Sequence, residues 1–267
     1  DWEWGKMQRV ITQIYEVQDP EEARQVAACG VEHIGSVVLS KARWKQPELL
    51  ETRRAVAESG AVSSLILLFT DKDMIAAALD YYRPDIVHFC EDLHLSGSCL
   101  DSPGKMNDAL APLVAIQAEI RERFPDIRIM RSIPIHQPRA DNSLPVLEVA
   151  RVFEPISDYF LTDTLMSGTN PQLGNSQPVG GFVGITGEIC SWQSAADLVE
   201  WSPIPVILAG GLSPENVFEA VRCVRPAGVD SCTLTNALDA EARPIRFKKD
   251  MDRVRRFVSE TRRASET

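Results

Sequence analysis

Short apolar runs alternate with amphipathic stretches along the chain, and the alternation repeats eight times. The apolar runs are rich in β-branched residues and continuous rather than alternating, the pattern of strands buried on both faces. The stretches between them carry apolar residues every three to four positions, as helices with one buried face do. The first pair is a strand over residues 9–15 and a helix that Asp19 caps and Gly30 ends. Strands at 31–39, 62–69 and 85–90 come next, followed by helices at 46–59, from Asp71 through Tyr82, and at 107–124. The fifth and sixth strands fall at 127–133 and 158–162, with helices at 144–153 and 192–201. A strand at 205–209, a helix at 214–224, a strand at 228–235 and a closing helix at 245–262 complete the set.

Eight strand-helix units predict an α/β fold, a parallel eight-stranded (β/α)8 TIM barrel, in one domain over residues 1–267 with 1–7 as an N-terminal extension. A doubly wound open sheet would alternate in the same way. In either case the working end is the carboxyl end of the strands. Two connections there are long, 91–106 and 164–188. Loops of about 15 residues or more are uncommon unless functional or disordered. The second is rich in Gly, Asn and Ser and reads as a closing lid or a plain insertion. Trp2 and Trp4, ahead of the first strand, read as a plug for the barrel's bottom or as a dimer contact.

Composition narrows the partners. A formal net charge of −10 argues against a protein that wraps nucleic acid or lies on anionic lipid. No apolar run approaches the roughly 20 residues that span a bilayer, and the opening residues lack the plan of a signal peptide, so a cytoplasmic protein is expected. Six scattered cysteines without CxxC spacing read as free thiols. The basic residues near the end, Lys248, Lys249, Arg253, Arg255 and Arg256, read as a solvated helix face.

The stretch 204–217, IPVILAGGLSPENV, is built as an anion grip. Its strand ends in Gly210 and Gly211, which let backbone N–H groups approach a ligand. Ser213 follows as an N-cap with Pro214 at the first helical position and Glu215 in the first turn. Such a strand-to-helix turn aims unpaired N–H donors at one point. A tight turn with no ligand would use the same residues.

Several stretches together resemble the phosphoribosylanthranilate isomerase family. Residues 184–192, GITGEICSW, are similar to its GGTGKTFDW; 206–217, VILAGGLSPENV, to its ILAGGLNPENV; and 224–230, VRPAGVD, to its VRPYGVD. Upstream, 28–35, ACGVEHIG, is similar to its AGADAIGF, Arg43 falls at its SPR arginine, and 161–164, LTDT, is similar to its LLDT. The resemblance runs in order from about residue 8 to residue 262 and implies a barrel enzyme of tryptophan biosynthesis. Members of the family open the ring of a phosphorylated ribosylamine and shift a proton from a sugar carbon, an Amadori rearrangement. The substrate would be a small phosphorylated molecule, with no cofactor and no metal, and the chain a monomer or homodimer. An alternative is a relative that binds or converts another small, phosphorylated ligand.

Such chemistry needs an acid at the ring oxygen and a base at the carbon. The resemblance makes Asp163 the acid; the bland reading is a loop cap. The family's base is the cysteine of a KICGLT motif, whose counterpart here, TQIYEV over 12–17, places Tyr15 at the cysteine, Gln13 at the lysine and Glu16 at the glycine. Tyrosine, with an unperturbed pKa of about 10, is a poor base at neutral pH and reads as readily as a pocket wall. Glu16 is the other candidate base, although strand alternation turns it away from the side that Tyr15 faces. Arg43 reads as a contact to an anionic substrate group or as a surface residue paired to an acid. The family's QLHGDE becomes VHFCED over 87–92, with His88 and Cys90 facing inward together, and the lysine of its GGTGK becomes Glu188, a pocket or lid-hinge acid. Two ligands on one strand with no third at fixed spacing do not make a metal site, and a packed inner layer is the better reading. On the phosphate, Gly210 and Gly211 are joined by Thr233 and Thr235, whose hydroxyls would replace the glycine lost where the family's SSG becomes CTL over 232–234.

Overall fold

The computed structural model describes residues 9–93, 95, 102–138, 145–165, 180–184 and 187–267. Eight parallel strands close into a barrel in chain order. They are β1 (Ile11–Ile14), β2 (His33–Val38), β3 (Val62–Leu67), β4 (Ile86–Phe89), β5 (Arg128–His136), β6 (Tyr159–Leu165), β7 (Val206–Leu208) and β8 (Gly228–Ser231). Closure is made by β1 against β8, from Ile11 opposite Gly228 to Ile14 opposite Ser231. The open doubly wound alternative is thereby excluded.

The helices that cover the barrel are α1 (Pro20–Ala28), α2 (Pro47–Glu58), α3 (Lys72–Tyr82), α4 (Pro103–Arg123), α5 (Val146–Phe153), α6 (Trp192–Trp201), α7 (Val217–Val224) and α8 (Met251–Ser265). Local chemistry starts most of them where the sequence places the signal. Asp19 accepts from the Glu22 N–H ahead of Pro20, and Asp71 from the Met74 N–H. Strands β5 and β6 run past their expected ends because they extend one another, pairing from Met130 opposite Tyr159 to His136 opposite Leu165. That extension carries Asp163 within β6 rather than on a loop after it.

Two expectations near the carboxyl end are corrected. The strand expected over 228–235 stops at Ser231, and Thr233–Thr235 form one 3-10 turn. The helix expected over 245–262 starts only at Met251, where Asp250 accepts from the N–H groups of Asp252 and Arg253. The residues before it form an antiparallel hairpin of β9 (Asn236–Leu238) and β10 (Pro244–Lys249). Residues 245–249, IRFKK, alternate with period two, and reading them into the following helix hid that pattern. Lys249 is consequently buried, its Nζ donating to the Cys232 carbonyl at 2.8 Å and to Asn236 Oδ1 at 2.6 Å, and is not part of a solvated face.

Most of the core lies between barrel and helices. One cluster joins Ile14, Val26, Leu208, Val217 and Phe257, and another joins Leu65, Leu79, Phe89 and Ile129. Inside the barrel, Tyr15, Ile66, Met130, Leu161 and Ile207 pack together, so the barrel is filled rather than hollow. Trp2 and Trp4, and residues 166–179 of the long connection after β6, lie outside the described residues.

Candidate active site

One cavity opens at the carboxyl ends of the strands, with about 760 Å³ of space including its mouth. Asp163 from β6, Tyr15 and Glu16 after β1, His88 from β4 and Cys90 just after β4 line it. Gly210, Gly211 and Leu212 after β7, and Thr233 and Leu234 after β8, line the same cavity. Phe182, Val183 and Gly184 contribute from the described end of the long connection. That end folds back on β4: the Val183 N–H donates to the Cys90 carbonyl and the Asp92 N–H to the Gly181 carbonyl, both at 2.8 Å.

Asp163 is half-buried and its carboxyl is pushed up to about 7, first by desolvation. The Thr164 N–H, which donates to Oδ1 at 3.1 Å, and the Ser132 hydroxyl pull the other way. Gly184 makes room for the carboxyl, since a Cβ there would sit 2.4 Å from Asp163 Oδ2. A carboxyl balanced near neutrality can both give and take a proton.

Tyr15 lies across the barrel axis. Its ring occupies the space over Gly35 on β2, where a Cβ would come within 2.1 Å of the ring. The Tyr15 hydroxyl meets Ser64 Oγ on β3 at 2.5 Å and His88 Nδ1 at 2.9 Å. Burial drives the phenol's pKa well above its ordinary value. Even an unperturbed phenol of pKa about 10 is ionised at pH 7 only at a cost of about 4 kcal/mol. A free phenolate is therefore not the base. His88 is buried, its pKa is lowered to about 3 by desolvation and then by Arg131, and its Nε2 meets Ser132 Oγ at 2.8 Å.

Glu16 is not turned away as alternation predicts, because β1 ends at Ile14 and Glu16 adopts a left-handed backbone with φ 63°. Its Oε1 accepts from Arg246 Nε at 2.7 Å and lies 2.6 Å from Nη2, which ties the end of β1 to the β9–β10 hairpin. One oxygen of this candidate base is thus already committed to a guanidinium.

The glycine pair is shaped as the sequence predicts. Gly210 and Gly211 both have positive φ, and a Cβ on Gly211 would lie 2.6 Å from the backbone of Glu188 and Ile189. Among the described residues no hydrogen-bond acceptor meets the N–H groups of Gly210, Gly211 and Leu212. Ser213 Oγ accepts from the Glu215 N–H, and Asn216 Oδ1 accepts from the Ser213 N–H, a reciprocal cap for the turn ahead of α7. The helix itself begins three residues later than expected, at Val217.

Other expected positions lie further out. Arg43 is exposed in a 3-10 turn after β2 and does not line the cavity. Glu188 is exposed, 3.3 Å from Gln137 Nε2, and Thr235 is buried with its hydroxyl on the Cys232 carbonyl at 3.1 Å. Neither of these lines the cavity. Among the described residues, no group of three or more His, Cys, Asp or Glu could hold a metal ion.

Other polar groups stand behind or beside the lining. Ser64 on β3 and Ser132 on β5 do not line the cavity but are buried against Tyr15 and His88, two residues that do, and alternation along their apolar strands is the signal that marks them. Asp230 on β8 has its carboxyl pushed up to about 7, first by burial, with the Asp163 carboxylate adding to it. It accepts from Gln13 Nε2 at 3.1 Å, and Gln13 Oε1 in turn meets His33 Nδ1 at 3.2 Å. A neutral amide at 13, where the resembled motif has lysine, leaves Asp230 without a charged partner on β1. Behind the wall, the buried Arg131 holds Glu91 at 2.7 Å and stacks 4.3 Å above Phe153, fixing the end of β4. Losing one member of such a pair costs about 3–5 kcal/mol.

Fold and site define a (β/α)8 barrel protein with a cavity at the carboxyl ends of its strands that brings Asp163 beside the Gly210–Gly211 turn. The sequence profile described as N-(5'phosphoribosyl)anthranilate (PRA) isomerase matches residues 134–233. N-(5'-phosphoribosyl)anthranilate isomerase 2 of Methanosarcina mazei is 34% identical over 148 residues, which cover 53% of this chain and 58% of that protein. N-(5'-phosphoribosyl)anthranilate isomerase of Methanocella arvoryzae is 31% identical over 173 residues, 60% of this chain and 68% of that one. The chain belongs to the phosphoribosylanthranilate isomerase family. The solved phosphoribosyl anthranilate isomerase of Thermotoga maritima has the same fold, with TM-score 0.61 at 21% identity over 94% of this chain and 98% of that one.

Proposed function

We propose that the chain isomerises a phosphorylated ribosylamine to the corresponding ketose by an Amadori rearrangement, the reaction of tryptophan biosynthesis for which its relatives are named. The observation that carries this reading is a carboxyl with a pKa of about 7 sharing one cavity with three backbone N–H groups that meet no acceptor among the described residues. Asp163 gives its proton to the ring oxygen, which breaks the ring C–O bond as the nitrogen lone pair forms a C=N bond. The phosphate sits against Gly210, Gly211 and Leu212, whose N–H groups meet no acceptor among the described residues and would favour an anion. Thr233 adds a hydroxyl from the 3-10 turn after β8. This grip is local, in a chain whose net charge of −10 repels anions at long range. Tyr15 occupies the place of the carbon base. Arg43, exposed beyond the rim, is available to an anionic ring substituent that projects from the mouth.

Complementation tests this reading. A strain lacking the isomerase should grow on minimal medium when it carries the wild-type chain and fail to grow when it carries Asp163→Ala. Failure of well-expressed, folded wild-type protein to support growth would overturn it.

A further inference from the structure

The polar groups around Tyr15 form a line rather than a cluster. From β3 to β6 the order is Ser64, Tyr15, His88, Ser132 and Asp163, with hydrogen-bonded steps of 2.5, 2.9 and 2.8 Å up to Ser132. Beyond Ser132 the line reaches Asp163 on the neighbouring strand β6, whose carboxyl the Ser132 hydroxyl pulls down in pKa; no direct hydrogen bond joins the two, so the last transfer requires the Ser132 side chain to turn to the carboxyl. Each of the three middle members carries one donor and an acceptor, which is the requirement for passing a proton without becoming charged.

We propose that Tyr15, His88 and Ser132 are a proton relay that carries the proton removed from the substrate carbon back to Asp163, so that one carboxyl group is both the acid and the final base. The chemical step rests on the isomerase reading above. After Asp163 has protonated the ring oxygen, the carbon proton moves to the Tyr15 oxygen, and the C–H electron pair forms a C=C bond while the C=N pair returns to nitrogen. In the same step the Tyr15 hydroxyl proton passes to His88 Nδ1, the His88 Nε2 proton to Ser132 Oγ, and the Ser132 proton to the Asp163 carboxylate. All three relay members end neutral, and Asp163 ends protonated, as it began. Ser64 donates to the Tyr15 oxygen while Asp163 is ionised, and hydroxyl rotation with retautomerisation of His88 resets the line.

Burial makes both a phenolate and an imidazolium unfavourable here, and concerted transfer avoids both. The relay also accounts for a tyrosine standing at a base position: its hydroxyl is needed as a conductor. Among the described residues, the other titratable and charged groups facing the line are Asp230 on β8, Cys90 after β4, Cys190 before α6 and Arg131 on β5. Of these, Asp230 is expected to titrate in the same range as Asp163.

The test uses the resting protein and then the reaction. In ¹⁵N-histidine-labelled full chain, His88, assigned with His88→Gln, should be the Nε2–H tautomer above pH 8, when Ser132 donates to ionised Asp163. It should shift towards Nδ1–H as Asp163 protonates near pH 7, and Ser132→Ala and Asp163→Asn should each abolish the shift while Asp230→Asn keeps it. With phosphoribosylanthranilate, Ser132→Ala should lower kcat about 100-fold with KM changed less than about 3-fold, and Ser132→Thr should restore most of the rate. One unchanging tautomer in the wild-type chain from pH 5 to 9, or full kcat in Ser132→Ala, would overturn the relay. A tautomer shift in a wild-type chain that leaves phosphoribosylanthranilate unchanged would support the relay and overturn the isomerase reading instead.

Discussion

Asp163 holds its proton to about pH 7 because burial outweighs the Thr164 hydrogen bond and the pull of the Ser132 hydroxyl. Its folded pKa lies above its unfolded value near 4, so the folded state binds the extra proton between those limits. Stability should be full below about pH 4, fall as pH rises through the window and level off above 7. Asp163→Asn removes that cost and should be more stable than the wild type at pH 8, by up to about 4 kcal/mol, with no advantage at pH 4. Thermal melts at the two pH values check this, since each kcal/mol moves the midpoint of a chain this size by about 2–4 °C. An equal effect at both pH values would show that Asp163 is ionised in the folded state at acid pH.

At the scale of elements, Tyr15 on the end of β1 and Gly35 on β2 are one packing decision. A Cβ at 35 would strike the Tyr15 ring, so Gly35→Ala should destabilise by about 1–3 kcal/mol. Tyr15→Cys frees that space, and in the double variant Gly35→Ala should cost little. A double-mutant cycle by urea unfolding should therefore show coupling of at least about 1 kcal/mol; simple additivity would contradict the packing. The glycine pair after β7 is constrained by backbone instead. Gly211→Ala, at φ 61° and against the Glu188–Ile189 peptide, should weaken inorganic phosphate binding by at least tenfold in calorimetric titration. Unchanged affinity would remove Gly211 from the phosphate site.

At the scale of the whole molecule, the barrel was legible because strand and helix periodicities alternate cleanly, and capping residues such as Asp19 and Asp71 mark helix starts. The Gly210–Gly211 turn and Asp163 were legible too, since each lies in a short contiguous motif. What escaped was long-range. The direction of Glu16 depends on Arg246, 230 positions away, and Arg246 sits on a hairpin whose alternation was absorbed into the next helix. His88 was legible as an inward-facing residue, but Ser64 and Ser132 gain their place only once barrel closure brings β1, β3, β4 and β5 around Tyr15. The raised carboxyl of Asp230 follows from burial inside that closed barrel, which no local pattern reports.

The most direct measurement of the central claim is steady-state turnover of phosphoribosylanthranilate by the purified chain from pH 5 to 9, alongside Asp163→Asn. The account predicts turnover that declines as pH rises through about 7, where Asp163 loses its proton, and a loss of at least about 100-fold in the variant. No turnover by folded wild-type protein, or equal rates in the two proteins, would contradict it.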